Sequence, residues 1–338
     1  VTTINDVARY AGVAKKTVSR VLNNEPGVKP QTRELVKQAM ATLGYVPSVS
    51  ARRLAQQRAN SIALGYCHDA TSFPGLFQSM ARLTESIATM HGIDTLLCAE
   101  GRNNEPSISK ILTQFTQRSV DGAILLPPLS DDLTLVKILH EAKAPMLRIG
   151  CCHGVTEHIP SVAHHIEQAA NQLATHLLQL GHRHIGVISG DSEQISNQLA
   201  LEGFLSACRK HNIHHRQQFY TEANRTLSGG YQATEALLSL PQPPTAIVAF
   251  NNELAAGVLA LSARWGLNIP DDLSVCCISD GSATEQQLMP VTHSSLMEES
   301  QVKTAIDEFL TSLRNAQHQP QINSLQPRLN DHGTTAKL

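Results

Sequence analysis

Aromatic side chains are scarce: they make up 4% of the chain, with a single tryptophan. An apolar interior must therefore be built from Leu, Ile, Val and Ala, the composition of layered α/β proteins. No apolar run approaches the ~18 residues a membrane helix needs, so no membrane partner is expected. The front of the chain lacks a charged-then-apolar leader, so secretion is not expected and a cytoplasmic location is. The seven cysteines include the adjacent pairs Cys151-Cys152 and Cys276-Cys277. An odd count in that arrangement makes no disulfide framework and fits reduced thiols. Their spacings to the sixteen histidines match no common zinc pattern, so neither a metal nor a cofactor is expected. The paired His164-His165, His214-His215 and His182-x-His184 read as packing or surface residues. Also missing are a Gly-x-Gly-x-x-Gly after a strand, a phosphate-binding loop ending in Lys-Ser/Thr and a Gly-x-Ser-x-Gly elbow, which argues against an enzyme.

What is present is an asymmetry of charge. Residues 1–60 carry ten Lys or Arg against three acids, and the remainder carries 17 basic against 26 acidic groups. The overall −2 thus conceals a basic head on an acidic body, the electrostatic footprint of a polyanion-binding segment. A length of 338 residues suggests two or three folding units.

The head reads as helical. Thr3 suits an N-cap with Asp6 in the first turn, and Ile4, Val7, Ala8 and Ala11 follow at helical spacing. Gly12 interrupts, and Ala14–Leu22 resumes the pattern with Val18, Val21 and Leu22 inward and Lys15, Lys16, Ser19 and Arg20 outward. Two short helices joined through a glycine turn form a helix-turn-helix. A third helix is expected over Gln31–Leu43, with Val36, Met40 and Leu43 inward and Gly44 as terminator. Lys15 and Lys16, at the start of the second helix, are placed to donate to guanine O6 and N7. Arg20 would reach bases or phosphate, and Thr17 and Ser19 phosphate or base edges.

Beyond residue 59 short apolar runs alternate with amphipathic stretches. Strands are expected at Ile62–Tyr66, Thr95–Cys98, Gly122–Leu126 and Met146–Ile149, then at Ile185–Ser189, Gln218–Tyr220, Ala246–Phe250 and Leu273–Ile278. Helices are expected between them, among them Leu76–Met90, Ile166–Leu180, Leu199–Lys210 and Leu254–Trp265. The rhythm implies parallel sheets covered by helices, in two similar lobes split near residues 155–160. Ligands bind such sheets at the carboxyl ends of the strands.

The string Asp6-Val7-Ala8-Arg9-Tyr10-Ala11-Gly12-Val13, then Thr17-Val18-Ser19-Arg20-Val21-Leu22-Asn23, resembles the headpiece of the lactose-repressor (LacI/GalR) family of transcriptional regulators. The likeness continues through Thr32-Arg33, Leu43-Gly44-Tyr45-Val46-Pro47 and Ala51-Arg52-Arg53-Leu54. In the body it rests on Gly181-His182-Arg183-His184-Ile185-Gly186, Leu201-Glu202-Gly203-Phe204, Ala256-Gly257 and Ile269-Pro270-Asp271-Asp272-Leu273-Ser274-Val275. The resemblance implies an all-α helix-turn-helix headpiece (1–46), a hinge helix or linker (47–58) and an α/β, two-lobed, periplasmic-binding-protein-like core with parallel sheets (59–338). Lobe one would comprise about 59–157 and 296–319, and lobe two about 158–293 and 322–330; the last eight residues read as disordered.

By the same resemblance DNA contacts fall on Thr3, Lys15, Lys16, Thr17, Ser19, Arg20, Asn23, Thr32, Tyr45, Ser48, Ala51, Arg52 and Leu54. Leu54 would be the apolar wedge of a hinge helix in the minor groove. Effector contacts fall on Ser72, Phe73, Arg148, Asp191, Ser196, Asn251, Glu253, Ser279 and Asp280. The implied protein is a homodimeric repressor of carbohydrate-utilisation genes. It would bind a near-palindromic double-stranded operator under control of a small-molecule effector, a sugar or sugar derivative. No leucine heptad follows the core, which favours a dimer over a tetramer. The alternative is a two-lobed small-molecule-binding protein or an α/β enzyme without DNA function.

Several positions depart from the family pattern. Ala14 stands where serine is common and Ser48 where asparagine is usual. Ala200 replaces an arginine, Ser279-Asp280 an Asp-Asp pair, and Leu296 a glutamine. Losing one charge-assisted hydrogen bond costs ~1.5–3 kcal/mol, so a monosaccharide held in the common manner is disfavoured.

Overall fold

Thr3 starts the first helix as its neighbours require. In the computed structural model its hydroxyl accepts the Asp6 N–H at 3.4 Å, while the Asp6 carboxylate takes the Thr3 N–H at 2.9 Å and the Thr3 hydroxyl at 2.6 Å. This reciprocal cap opens α1 (Ile4–Tyr10). Gly12, at φ +63°, turns the chain through the left-handed region that a side chain resists. After it comes α2 (Lys15–Leu22), and α3 (Pro30–Thr42) begins on proline, whose missing N–H costs nothing at a first helical position. Val7, Ala8, Val18, Val21, Val36 and Ala39 meet at the centre of the three helices. Met40 and Leu43, expected inward, pack against that cluster half-buried.

The structure describes residues 2–22, 26–45, 58–67, 74–100, 109–151, 159–279, 290–315, 318 and 323–338. They form two compact units, Val1–Ala59 and Asn60–Leu338. No helix among the described residues is long and apolar enough to cross a membrane.

The second unit contains two six-stranded sheets. One is built from β1 (Ser61–Cys67), β2 (Asp94–Glu100), β3 (Gly122–Leu125), β4 (Met146–Gly150), β5 (Ser161–His164) and β11 (Asn323–Leu325), in the order β11-β5-β4-β3-β1-β2. The other takes β6 (Ile185–Ser189), β7 (Tyr220–Glu222), β8 (Ala246–Ala249), β9 (Ser274–Ser279), β10 (Thr292–Ser295) and β12 (Arg328–Asn330), in the order β12-β10-β9-β8-β6-β7. Among the described residues every pairing is parallel except β10 with β12. The intervening helices are α4 (Pro74–Met90), α5 (Lys110–Thr116), α6 (Leu133–Glu141), α7 (Ile166–Gln179), α8 (Ile195–Lys210), α9 (Leu227–Leu238), α10 (Asn252–Trp265) and α11 (Glu299–Arg314). As expected of the segment from 296, α11 packs on α4 and on strands β4 and β5 of the first sheet.

Helix α7 buries Ile166, Ala169, Ala170, Leu173, Ala174, Leu177 and Leu178, a stripe at helical spacing. It lies so close to α8 that a Cβ on Gly203 would stand 2.0 Å from the Glu167 carbonyl oxygen. Only glycine fits that crossing.

Three boundaries differ from expectation. Lobe one does not stop near residue 157, because β5 pairs with β4 through Arg148↔Ser161 and Gly150↔Ala163. The chain passes between sheets after His164, again after Ser295, and a third time between Leu325 and Arg328, so 322–330 is shared between the lobes. The last eight residues are tied down: the Val275 N–H donates to Thr334 O at 2.8 Å and the Leu338 N–H to Leu180 O at 3.0 Å. Backbone pairing, which composition does not report, orders this tail.

Candidate nucleic-acid interface and ligand cleft

In the headpiece, Val18 and Val21 turn α2 inward, and Lys15, Lys16 and Arg20 are left exposed. Helical geometry puts Lys16 and Arg20 one turn apart on one face. The first turn of α2 holds no acid, and Ala14, ahead of it, offers no capping side chain. Its leading N–H groups and helix dipole therefore add to the lysine charge, a combination suited to phosphate. Thr17 and Ser19 are half-buried. In α3, Thr32 is half-buried, and Arg33 Nη1 donates to the Val21 carbonyl at 3.5 Å, steadying the end of α2. Tyr45 packs against the headpiece core, and its N–H donates to Met40 O at 2.9 Å.

Thr3 has a different part from the helix-surface contacts, since its hydroxyl is engaged with Asp6. Those hydrogen bonds, the Thr3 side chain first, hold the Asp6 carboxyl below its ordinary pKa. Asn23, Ser48, Ala51, Arg52 and Leu54 lie outside the described residues.

In the core, Arg148 is the third residue of β4 and fully buried. Its Nε donates to Ser130 O at 2.7 Å and its Nη2 lies 4.0 Å from the buried Asp131 carboxylate. This arginine ties the strand to the turn that follows β3. Ser72, Phe73 and Asp280 lie outside the described residues.

The second sheet brings more of the expected set together, at the carboxyl ends of its strands. After β6, Asp191 Oδ1 accepts the Glu193 N–H at 2.9 Å, and the Asp191 carbonyl accepts Asn197 Nδ2 at 2.7 Å. Ser196, in the first turn of α8, is buried. After β8, Asn251 caps α10: its Oδ1 accepts the Leu254 N–H at 2.9 Å and its Nδ2 donates to Glu253 Oε2 at 2.8 Å. At the end of β9, the Ser279 hydroxyl accepts from Asn252 Nδ2 at 3.2 Å.

Three residues here escaped the sequence reading: Asn197, Arg225 and Asn252, all buried. Arg225 Nη1 donates to Asn197 Oδ1 at 3.2 Å and Nη2 to the Phe250 carbonyl at 3.3 Å, joining the first turn of α8 to the end of β8. Ala200 and Leu296 are absorbed into the apolar core. A guanidinium nevertheless occupies this edge of the sheet, supplied by Arg225 and bonded one helical turn from Ala200. The available signal was its position: a cation between a short strand and the Thr226 cap of α9, whose hydroxyl accepts the Gly229 N–H at 3.1 Å.

The buried and half-buried histidines of the core act in packing. His182 is bonded through Nδ1 to Thr245 Oγ1 at 2.9 Å and through Nε2 to Ala336 O at 3.1 Å. His215 Nε2 lies 2.9 Å from Ile185 O, its ring edge-on to Phe204. Desolvation lowers the pKa of both and takes the buried His164 down to about 4. Among the described residues no group of three or more metal-ligating side chains comes together. The described cysteines carry free thiols, and burial raises Cys98 and Cys208 to about 11.

Comparison with known proteins covers both units. Residues 3–48 match the family described as bacterial regulatory proteins, lacI family, and residues 174–335 match the periplasmic binding protein-like domain. Catabolite control protein A of Priestia megaterium is 32% identical over 275 residues, 81% of each chain. The transcriptional repressor PurR of Escherichia coli is 26% identical over 334 residues, 99% of this chain and 97% of that one. Among solved structures, the Lac repressor bound to ONPG in its repressed state aligns over 99% of both chains, with a TM-score of 0.83 and 25% identity.

Proposed function

The chain belongs to the lacI family of bacterial regulatory proteins, and we propose that it is a cytoplasmic, homodimeric repressor of carbohydrate-utilisation genes. Its headpiece reads a near-palindromic operator, and a sugar-class effector held at the strand ends of the core sets operator affinity. The observation that carries the DNA reading is the surface of α2, where Lys15, Lys16 and Arg20 stand exposed within the first 60 residues, which hold ten Lys or Arg against three acids. Lys15 and Lys16 supply base readout. Thr17 and Ser19 lie close enough to the same surface to bond phosphate.

The effector reading is supported by the polar residues that end β6, β8 and β9. Asp191, Ser196, Asn251, Glu253 and Ser279 lie there, with Asn197 and Arg225 beside them. In an open parallel sheet this edge is where ligands bind. A ligand that bonds one arrangement of the two lobes better than another shifts their equilibrium, and with it the operator affinity.

The test is a titration of the full chain against duplex DNA from its own promoter region, at several salt concentrations. Each neutralised phosphate contributes about 0.9 to the slope of log K against log salt, so affinity should fall steeply as salt rises. Lys16→Ala should change base preference as well as affinity. Equal weakening on every sequence would demote Lys16 to a phosphate contact.

A further inference from the structure

The second and third passages between the sheets share a root in lobe two. Strand β10 ends at Ser295, where the chain leaves for α11, and β12 begins at Arg328, just after the return from β11. The two strands pair antiparallel over three residues, with β12 at the edge of its sheet. His293 stands opposite Asn330 in that ladder. Its Nδ1 lies 2.8 Å from the Val291 carbonyl, which only accepts, so Nδ1 carries the hydrogen. Its Nε2 lies 3.3 Å from Asn330 Nδ2, an NH₂ group that also donates to the Arg328 carbonyl at 3.2 Å. Nε2 is therefore the acceptor, and this bond between the strands exists only for the neutral ring.

The surroundings expose the ring to protons without stabilising its charge. His293 is buried, yet it lines a recess of about 330 Å³ whose rim residues Glu298, Gln301, Gln326, Arg328 and His332 are exposed. The His332 imidazole is stacked on it, with centroids 5.2 Å apart and planes 13° from parallel. Around the recess, Glu298 ahead of α11 and Arg328 of β12 oppose each other in sign. On β9 the buried Cys277 stands in register with His293. Helix α7 packs on the other face of β10, where the Ser294 hydroxyl donates to Gln172 Oε1 at 3.0 Å. Its Glu167 is exposed and its His176 is bonded to the Thr335 hydroxyl, while Asp331 accepts from Thr292 and Gly333. Among the described residues no carboxylate bonds either stacked ring. Desolvation, and after it the neighbouring His332, keep the pKa of His293 below its ordinary value of 6.5.

We propose that the His293–Asn330 bond is a proton-operated latch at the root of these two passages, shut while the ring is neutral and released when it is protonated. A charged ring makes Nε2 a second donor, facing an amide group that also donates, with another imidazole stacked upon it. Strand β12 then keeps only its three-residue ladder to β10, and the angle at which the chain leaves for lobe one is free to change. The released state is the acid one. Two arrangements of the lobes that differ in proton uptake respond to pH as they would to a ligand. Operator affinity therefore varies with pH over the same range, a consequence that rests on the repressor reading.

The experiment is hydrogen–deuterium exchange of the full chain at about pH 7.5 and about pH 5, corrected for intrinsic rates, beside operator binding under the same conditions. Beyond any change in β8, the segment Arg328–His332 should exchange about fivefold faster in acid, the net worth of one hydrogen bond. His293→Gln, whose amide oxygen accepts from Asn330 at either pH, should lose that difference in exchange and in operator affinity alike. Asn330→Asp, half-buried at a sheet edge, should reverse it, because a carboxylate bonds the charged ring better than the neutral one. Acid-enhanced exchange that is equal in the parent and His293→Gln, or that keeps its direction in Asn330→Asp, overturns the latch. Operator affinity that follows pH identically in the parent and His293→Gln overturns its regulatory part. A parent that binds no operator at either pH sinks the repressor reading, and exchange alone then decides the latch.

Discussion

In the headpiece, the lysines of α2 stand in solvent around a six-residue apolar centre, whereas Arg148 and Arg225 in the core are buried and bonded to main-chain and amide oxygens. The two regions use the same side-chain chemistry under opposite conditions. An exposed lysine waits for its partner to arrive, so its effect is felt in the complex and weakly in the fold. A buried arginine is already part of the fold, so removing it disturbs the site and the packing together. Function in the headpiece can therefore be dissected by truncation, and function in the core only by comparing ligands.

The largest expected effect tests the headpiece half of that contrast. The double variant Lys15→Ala, Lys16→Ala should lose about 2–6 kcal/mol of operator binding if each lysine makes a base contact of ~1–3 kcal/mol. The melting temperature should be unchanged, because neither side chain is packed. A comparable loss of thermal stability would place the lysines in the fold and break the comparison.

The next effect belongs to the core. Gly203→Ala drives a Cβ against the Glu167 carbonyl, and α7 cannot yield without disturbing its buried stripe. Overpacking of this kind costs about 1–3 kcal/mol, read as a lower denaturant midpoint for core unfolding. Amide exchange in α1 to α3 should be unaffected. An unchanged midpoint would mean the two helices separate easily.

How much of this could be read from residues alone follows the same division. The headpiece helices were legible because a cap, a glycine turn and apolar spacing coincide within a few positions. In the core, β1, β3, β4, β6, β8 and β9 announce themselves as short apolar runs. The strands β5 (Ser161-Val-Ala-His164) and β10 (Thr292-His-Ser-Ser295) do not, since they are polar and owe their state to the neighbours they pair with. Helix α8 starts at Ile195 and not Leu199, and the sequence did not show it because the first turn, Ser196-Asn197-Gln198, is polar. Arg225 was passed over for a related reason: a lone cation in a polar stretch reads as solvated, and only the fold buries it. Asp191, Asn251 and Ser279 were named through resemblance, and they lie just after β6, just after β8 and at the end of β9.

Acidification should separate the two units more gently. No histidine occurs in the first 60 residues, whereas the core buries His164, His182 and His293 and half-buries His215, all with pKa values lowered mainly by desolvation. A base whose folded pKa is lowered contributes its full stability above the unfolded value of 6.5. That stability is lost as pH falls from there towards the folded value, about 4 for His164. Calorimetric melting of the core should fall by several degrees between pH 7 and pH 5, and His164→Gln should flatten the slope. A headpiece that melted in step over the same range would break the contrast.

The smallest effect concerns the first turn of the headpiece. Thr3→Ala removes the hydroxyl half of the cap on α1, a change worth about 1 kcal/mol at a helix N-terminus. Thr3 also holds the Asp6 carboxyl below its ordinary pKa, so the two residues are linked through the proton. For an acid with a lowered folded pKa, the stability is present above the unfolded value of 3.8 and lost as pH falls through the folded one. The difference between Thr3→Ala and the parent should thus be full at pH 7 and shrink in strongly acidic solution, where a protonated Asp6 no longer bonds as a carboxylate. Amide exchange at Val7 and Ala8 reads the cap directly, and operator affinity measured beside it separates two uses of one residue. If Thr3→Ala weakens DNA binding by more than the unfolding of α1 explains, its hydroxyl exchanges Asp6 for phosphate in the complex; if the two losses match, Thr3 serves the fold alone.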